Sequence, residues 1–234
     1  MKPYLNLGCG RIIYPGDQHW SHSLVDTEVF TYPRWVNVDR NEADGVDVIA
    51  DLFEYPWPLE SNAYGGALLS HLVEHIPHGV RVAGNSGYGG MMDEQEAGRA
   101  QYLASLQDGW FAFFSELWRV LEPGAVAHIL APHGHSDGAL ADPTHTRYVM
   151  PHTFGYLRPD ARSPFAYAIG CHFEEVGVTT YRLTELHHSL LPADGDTPED
   201  IDQKQRELGL RMMTRNNVAY EFYIKMQAVK EAVG

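Results

Sequence analysis

Tyr4-Leu5-Asn6-Leu7-Gly8-Cys9-Gly10 is a short apolar run that breaks into a G-x-G turn. It reads as a β-strand feeding a tight turn, where a missing Cβ lets the backbone come close to a ligand. Alone the signal is weak, because such turns are common at strand ends. The runs that follow give it weight. Trp35-Val36-Asn37-Val38-Asp39 is a second short strand, Val46-Asp47-Val48-Ile49-Ala50-Asp51 a third, and Gly66-Ala67-Leu68-Leu69-Ser70-His71 a fourth. Continuous short apolar runs suit parallel strands covered on both faces. Asp39 and Asp51 close the second and third runs, so both fall at the C-terminal strand edge, where open α/β sheets bind ligands.

The rest of the chain extends the pattern. Residues 93–121 read as a helix whose second half carries Trp110, Phe113, Phe114, Leu117 and Leu121 on one face, stopped by Glu122-Pro123-Gly124. We read Trp110, Phe113 and Phe114 as core. Residues 126–130 form an expected fifth strand, 178–186 a sixth and 218–229 a seventh. Thr197-Pro198-Glu199-Asp200 has the cap, the early proline and the acids of a helix start. The expected architecture is a Rossmann-like α/β fold, a seven-stranded mostly parallel sheet with an antiparallel C-terminal hairpin. Residues 1–234 form one domain, with insertions at about 14–33 and 79–98. The glycine-rich second insertion reads as a lid.

Bulk properties narrow the function. The 234 residues suffice for one sizeable core, and a formal net charge of −14 disfavours nucleic acid, whose phosphates need Lys and Arg. No apolar run approaches a membrane span, and the N-terminus runs straight into a strand without a visible signal peptide. Cys9 and Cys171 are the two cysteines, far apart and without metal or redox spacing, which fits a reducing cytoplasm.

The motifs together resemble the class I S-adenosylmethionine-dependent methyltransferases, in particular their small type 11-like members. Residues 5–10 look like the first motif, 36–39 the acidic strand end, 47–52 the adenine-contact motif, and 68–76 the fourth-strand signature. Phe114-Ser115-Glu116-Leu117-Trp118-Arg119-Val120-Leu121-Glu122-Pro123-Gly124 is similar to the helix and turn before the fifth strand. The likeness covers residues 5–132 and departs at Arg11, which replaces a third glycine, and at Ala125. It implies S-adenosylmethionine as cofactor, with Gly8 and Gly10 near the methionine part and Asp39 on the ribose. Asp51 and Leu52 would meet the adenine, and Ser70 and His71 the sulfonium edge. The implied activity is methyl transfer to a small-molecule, sugar or nucleotide-linked acceptor. A non-catalytic cofactor-binding module is the alternative.

Catalytic candidates follow the fourth and fifth strands. His71 and His75 come after the fourth; His145, in Asp142-Pro143-Thr144-His145-Thr146-Arg147, comes after the fifth. A hydroxyl or protonated amine acceptor needs a general base, which an imidazole supplies. Arg147 offers a bidentate site for an anionic acceptor. Equally, Asp142 and Thr144 read as an Asx-type turn with His145 merely packed. His133, His135, Asp137, Asp142 and His145 contain metal-ligand chemistry, and a metal-dependent enzyme built on them is a further alternative. Their spacing is not a tight ligand signature, methyl transfer needs no metal, and no metal site is assigned.

Overall fold

A computed structural model of the chain describes residues 2–14, 19–20, 30–31, 34–82, 98–99, 101, 108–162 and 170–230. Its main sheet is built from β1 (Tyr4–Leu7), β2 (Trp35–Asp39), β3 (Val48–Ile49), β4 (Tyr64–Ser70), β5 (Leu121–Pro132), β6 (Phe173–Glu175), β7 (Thr180–Leu183) and β8 (Ala219–Ala228). The order is β3-β2-β1-β4-β5-β8, with β6 and β7 both along the outer side of β8. The first five strands run parallel, and β8 runs antiparallel to β5 and to both outer strands. This is the expected Rossmann-like sheet, with its sixth position shared by two short segments. Gly177, at φ +78°, lies between them.

The apolar strands are buried on both faces, as their composition demands. Leu5, Leu7, Val38, Leu69, Ala127 and Ile129 face one core, while Trp35, Leu68, Leu130 and Tyr223 form a smaller cluster on the other side. Helix α1 (Gly109–Val120) covers the first face. Asp108 caps it by accepting the Trp110 amide at 2.8 Å, and Trp110, Phe113, Phe114 and Leu117 are buried against the sheet as expected. Its first residue must be small: a Cβ on Gly109 would stand 2.1 Å from the Pro77 carbonyl oxygen. The expected helix began at residue 93; of 93–107 only residues 98, 99 and 101 are described. Helix α2 (Pro198–Thr214) starts at Thr197 in a capping box with Asp200, as its sequence announces.

The first crossover differs from a compact βαβ unit. Among the described residues between Gly10 and Trp35 there is no helix; His19–Trp20 instead pairs with Phe30–Thr31. Two buried asparagines explain the local path. Asn6 Nδ2 donates to Asn37 Oδ1 at 2.9 Å and to the Ile12 carbonyl at 2.8 Å. Asn37 in turn accepts from the Tyr14 amide and donates to the Tyr14 carbonyl, both at 3.1 Å. The Ile12 carbonyl and both backbone groups of Tyr14 are thereby tied to side chains of β1 and β2. Most of the expected insertion at 79–98 lies outside the described residues.

Candidate functional site

The glycine turn is bonded to the end of β2. Gly8 and Cys9 amides donate to the Val38 carbonyl at 2.9 and 3.2 Å, and the Gly10 amide donates to Asp39 Oδ2 at 2.9 Å. Gly8 sits at φ +66°, and a Cβ there would press to 2.8 Å from Leu72 Cδ1. The left-handed conformation favours glycine there, and any side chain would also push the Leu72 tip aside. Asp39 is almost fully buried; its Oδ1 accepts from the Asn41 amide at 2.9 Å and from Asn41 Nδ2 at 3.1 Å. A carboxylate has about four acceptor sites, so room for a further donor remains.

These residues wall a cavity of about 530 Å³ at the C-terminal edge of the parallel strands, lined among others by Gly8, Asp39, Asp51, Leu52, His71 and His75. That volume is within the range of small-molecule and cofactor sites. Asp51 accepts from the Phe53 amide at 2.9 Å and from Arg81 at 3.1 Å, so an arginine absent from the sequence-based expectation borders the Asp51 side of the cavity. Arg81 itself lines the cavity, as do Asn41 and Thr144. Two expected residues lie outside the lining: Gly10, whose amide bonds Asp39, and Ser70, the last residue of β4, which pairs with Leu130.

His71 has a different character from the one its position suggested. It sits at φ +51°, a left-handed conformation that costs a non-glycine residue about 1–2 kcal/mol. Its Nε2 lies 3.2 Å from Glu221 Oε2 and its Nδ1 3.4 Å from Glu74 Oε1, both carboxylates being buried. Hydrogen bonds to Glu221 and then Glu74 push its pKa up to about 9, against the opposing pull of burial. A ring that keeps its proton at neutral pH is a poor general base. The ring lies between two buried carboxylates at the cavity wall, a setting that favours its protonated form over the free base expected of it.

The segments after β4 and β5 are stitched to each other. Thr146 and Arg147 amides donate to the Glu74 carbonyl at 2.9 and 3.1 Å, and Thr146 Oγ1 donates to the Ile76 carbonyl at 2.7 Å. Arg147 is spent in this seam. It donates to the carbonyls of Ile76 and Pro77 at 2.7 and 2.9 Å and to Asp108 at 2.8 Å, in place of the bidentate anion site its charge suggested. Asp142 Oδ1 accepts the Thr144 amide at 2.8 Å, which is the Asx turn. The turn delivers His145 to His75, ring centroids 4.8 Å apart.

The His133 group does not assemble with His145. His133 is buried beside His135, Tyr181 and Phe222, and burial, with the charges of His135 and His152, pulls its pKa down to about 4. Among the described residues the one grouping with metal-ligand spacing is Glu74, His75 and His145. The alternative built on His133, His135 and Asp137 is corrected accordingly.

No protein-family profile matches the chain, and no curated protein matches it. Solved structures do. A SAM-dependent methyltransferase from Archaeoglobus fulgidus is 16% identical at a TM-score of 0.48, the match covering 97% of this chain and 86% of that one. A SAM-dependent methyltransferase from Methanosarcina mazei is 13% identical at 0.42, covering 98% and 93%. The YcgJ protein from Bacillus subtilis is 8% identical at 0.43, covering 99% and 93%. No helix among the described residues is long and apolar enough to cross a membrane.

Two buried histidines give the fold a pH dependence. His133 is pulled down to about 4, and His128, buried and near Lys225, to about 3. The unfolded chain binds protons at these sites below pH 6.5 while the folded one stays neutral, so stability falls as pH drops from about 6.5 towards 4. Urea unfolding across that range is expected to show a loss on the order of a few kcal/mol from this source. His133→Leu should flatten the fall; an unchanged slope would contradict the assignment.

Proposed function

We propose that this protein transfers a methyl group from S-adenosylmethionine to a small acceptor, with sugar and nucleotide-linked molecules included in that class. One observation carries the reading. The glycine turn, Asp39 and the Asp51-Leu52 pair, each from a successive strand end, wall a single cavity of about 530 Å³. The residues fit the cofactor's parts. Gly8 leaves space by Leu72 for the amino-acid end, Asp39 accepts from ribose hydroxyls, and Asp51 accepts from the adenine amine beside apolar Leu52. When bound, the cofactor supplies a sulfonium-activated methyl group, so the protein's main task is to hold an acceptor in line with it.

The acceptor side is assigned to His71, His75 and Thr144, which line the same cavity, with His145 behind them. His71 contributes positive charge and positioning. His75 and His145 are the candidates for contact with the acceptor's proton. Calorimetric titration of S-adenosylhomocysteine into the intact protein tests the reading: one site per chain with micromolar or tighter affinity is expected. Folded protein that takes up none rejects it.

A further inference from the structure

Glu74 and His75 lie in a single 3-10 turn, Val73–His75, directly after β4, and His145 reaches them from the loop after β5. One ligand atom from each lies within 4.8 Å of the other two, close enough for small side-chain rotations to bring all three onto one ion. Each imidazole has its Nδ1 engaged by a backbone carbonyl. His75 Nδ1 donates to the Thr144 carbonyl at 3.1 Å and His145 Nδ1 to the Ala139 carbonyl at 3.0 Å. In the neutral ring this leaves the lone pair on Nε2, and a carbonyl on the far nitrogen is the usual setting of a metal-ligating histidine.

Glu74 supplies the independent observation. It is 1% exposed, and its Oε2 has no hydrogen-bond partner among the described residues. Oε1, likewise without a hydrogen bond, faces His71 Nδ1 at 3.4 Å, which leaves Oε2 as the oxygen available to an ion. A buried carboxylate oxygen without a donor is costly and calls for a cation or a proton. The backbone that carries Glu74 is fixed by the Thr146 and Arg147 amides, so the group cannot simply swing out with its segment. Asp142 Oδ2, 3.7 Å from His145 Nε2, adds a second negative charge nearby.

We propose that Glu74, His75 and His145 bind one divalent transition-metal ion at the wall of the cofactor cavity. Two imidazoles and one carboxylate suit Zn²⁺, Fe²⁺, Mn²⁺ or Co²⁺; Ca²⁺ and Mg²⁺ favour shells of oxygen. Three protein donors leave coordination positions open, and His75 and Thr144 face the cavity. The second part of the inference rests on the methyltransferase reading: the acceptor is a molecule that offers the ion a hydroxyl, with a neighbouring oxygen to complete a chelate. A hydroxyl on the ion gives its proton to water more readily and then attacks the methyl group as the alkoxide, so with the ion bound His75 and His145 serve as ligands and not as bases.

Metal-stripped protein titrated with Zn²⁺, and separately with Co²⁺ followed by its visible absorption, tests the site without any turnover. One ion per chain is expected, with Co²⁺ bands of a nitrogen- and oxygen-ligated centre. Glu74→Gln and His145→Gln should each weaken Zn²⁺ by at least about 100-fold, while His135→Ala binds as the parent does. S-adenosylhomocysteine affinity on the same samples reports folding and the cofactor reading separately, and it should persist in both ligand variants. Zn²⁺ bound with the cofactor product refused would leave the metal site standing and remove its methyltransferase role. No stoichiometric ion, or an ion that ignores His145→Gln and follows His135→Ala, overturns the site.

Discussion

Replacing Asp39 by alanine is expected to weaken S-adenosylmethionine binding by about 10- to 100-fold. A hydrogen bond to a charged acceptor contributes about 1.5–3 kcal/mol, and the acceptor site left on this carboxylate takes one ribose hydroxyl. A factor of ten in affinity corresponds to about 1.4 kcal/mol. The side chain is 9% exposed, so water does not readily replace it. Alanine also frees the Gly10 amide that Asp39 Oδ2 accepts at 2.9 Å, loosening the glycine turn. Asp39→Asn separates the two effects, because it keeps the shape and one acceptor oxygen. Its loss should be smaller than that of alanine. Calorimetry on the two variants checks this, and an alanine variant within about threefold of the parent would remove Asp39 from the site.

Glu116→Ala is expected to destabilise the fold by about 3 kcal/mol, because it takes the buried carboxylate from two partly buried arginines and from the buried Trp57 amide. Glu116 is fully buried in α1 and accepts from Arg119 at 2.8 Å, from Arg99 at 2.8 Å and from the Trp57 amide at 2.9 Å. Burial alone would raise its pKa; the Arg119 hydrogen bonds and charge, the Trp57 amide and Arg99 together hold it below the usual carboxylate range. Arg119 continues the network to the carbonyls of Leu59 at 2.7 Å and Trp57 at 3.1 Å. The network thus pins the segment after Asp51 and Leu52, which line the cavity. Urea denaturation with an unchanged slope would show the loss as a shift in midpoint. A change under 1 kcal/mol would mean that the network relaxes around the gap.

The strand ends were legible because each is marked locally, by an apolar run closing on Asp39, on Asp51 or on a G-x-G turn. Burial of a parallel sheet on both faces leaves little choice for such runs, and the structure places Asp39, Asp51, Leu52 and Gly8 on one cavity. What the sequence hid is what depends on contacts between distant segments. His75 and His145 meet only because the Asx turn and the Thr146 and Arg147 amides fold one loop onto the other. The nearby His133 and His135 look more promising in sequence, yet His133 belongs to an aromatic core. The path of residues 12–14 depends on Asn6 and Asn37, whose side chains bond that backbone from β1 and β2. Glu116 and Arg119 did carry a signal: an acid and a base three residues apart on an otherwise apolar helix face. His71 needed Glu221, from β8, before its charge could be known.

A crystal structure of the protein grown with S-adenosylhomocysteine tests the central claim most directly. The predicted result has the ribose hydroxyls on Asp39, the adenine against Asp51 and Leu52, and the sulfur turned towards His71 and His75. Electron density for the ligand elsewhere, for example in the second cavity of about 430 Å³ beside Trp110 and Tyr148, would contradict it.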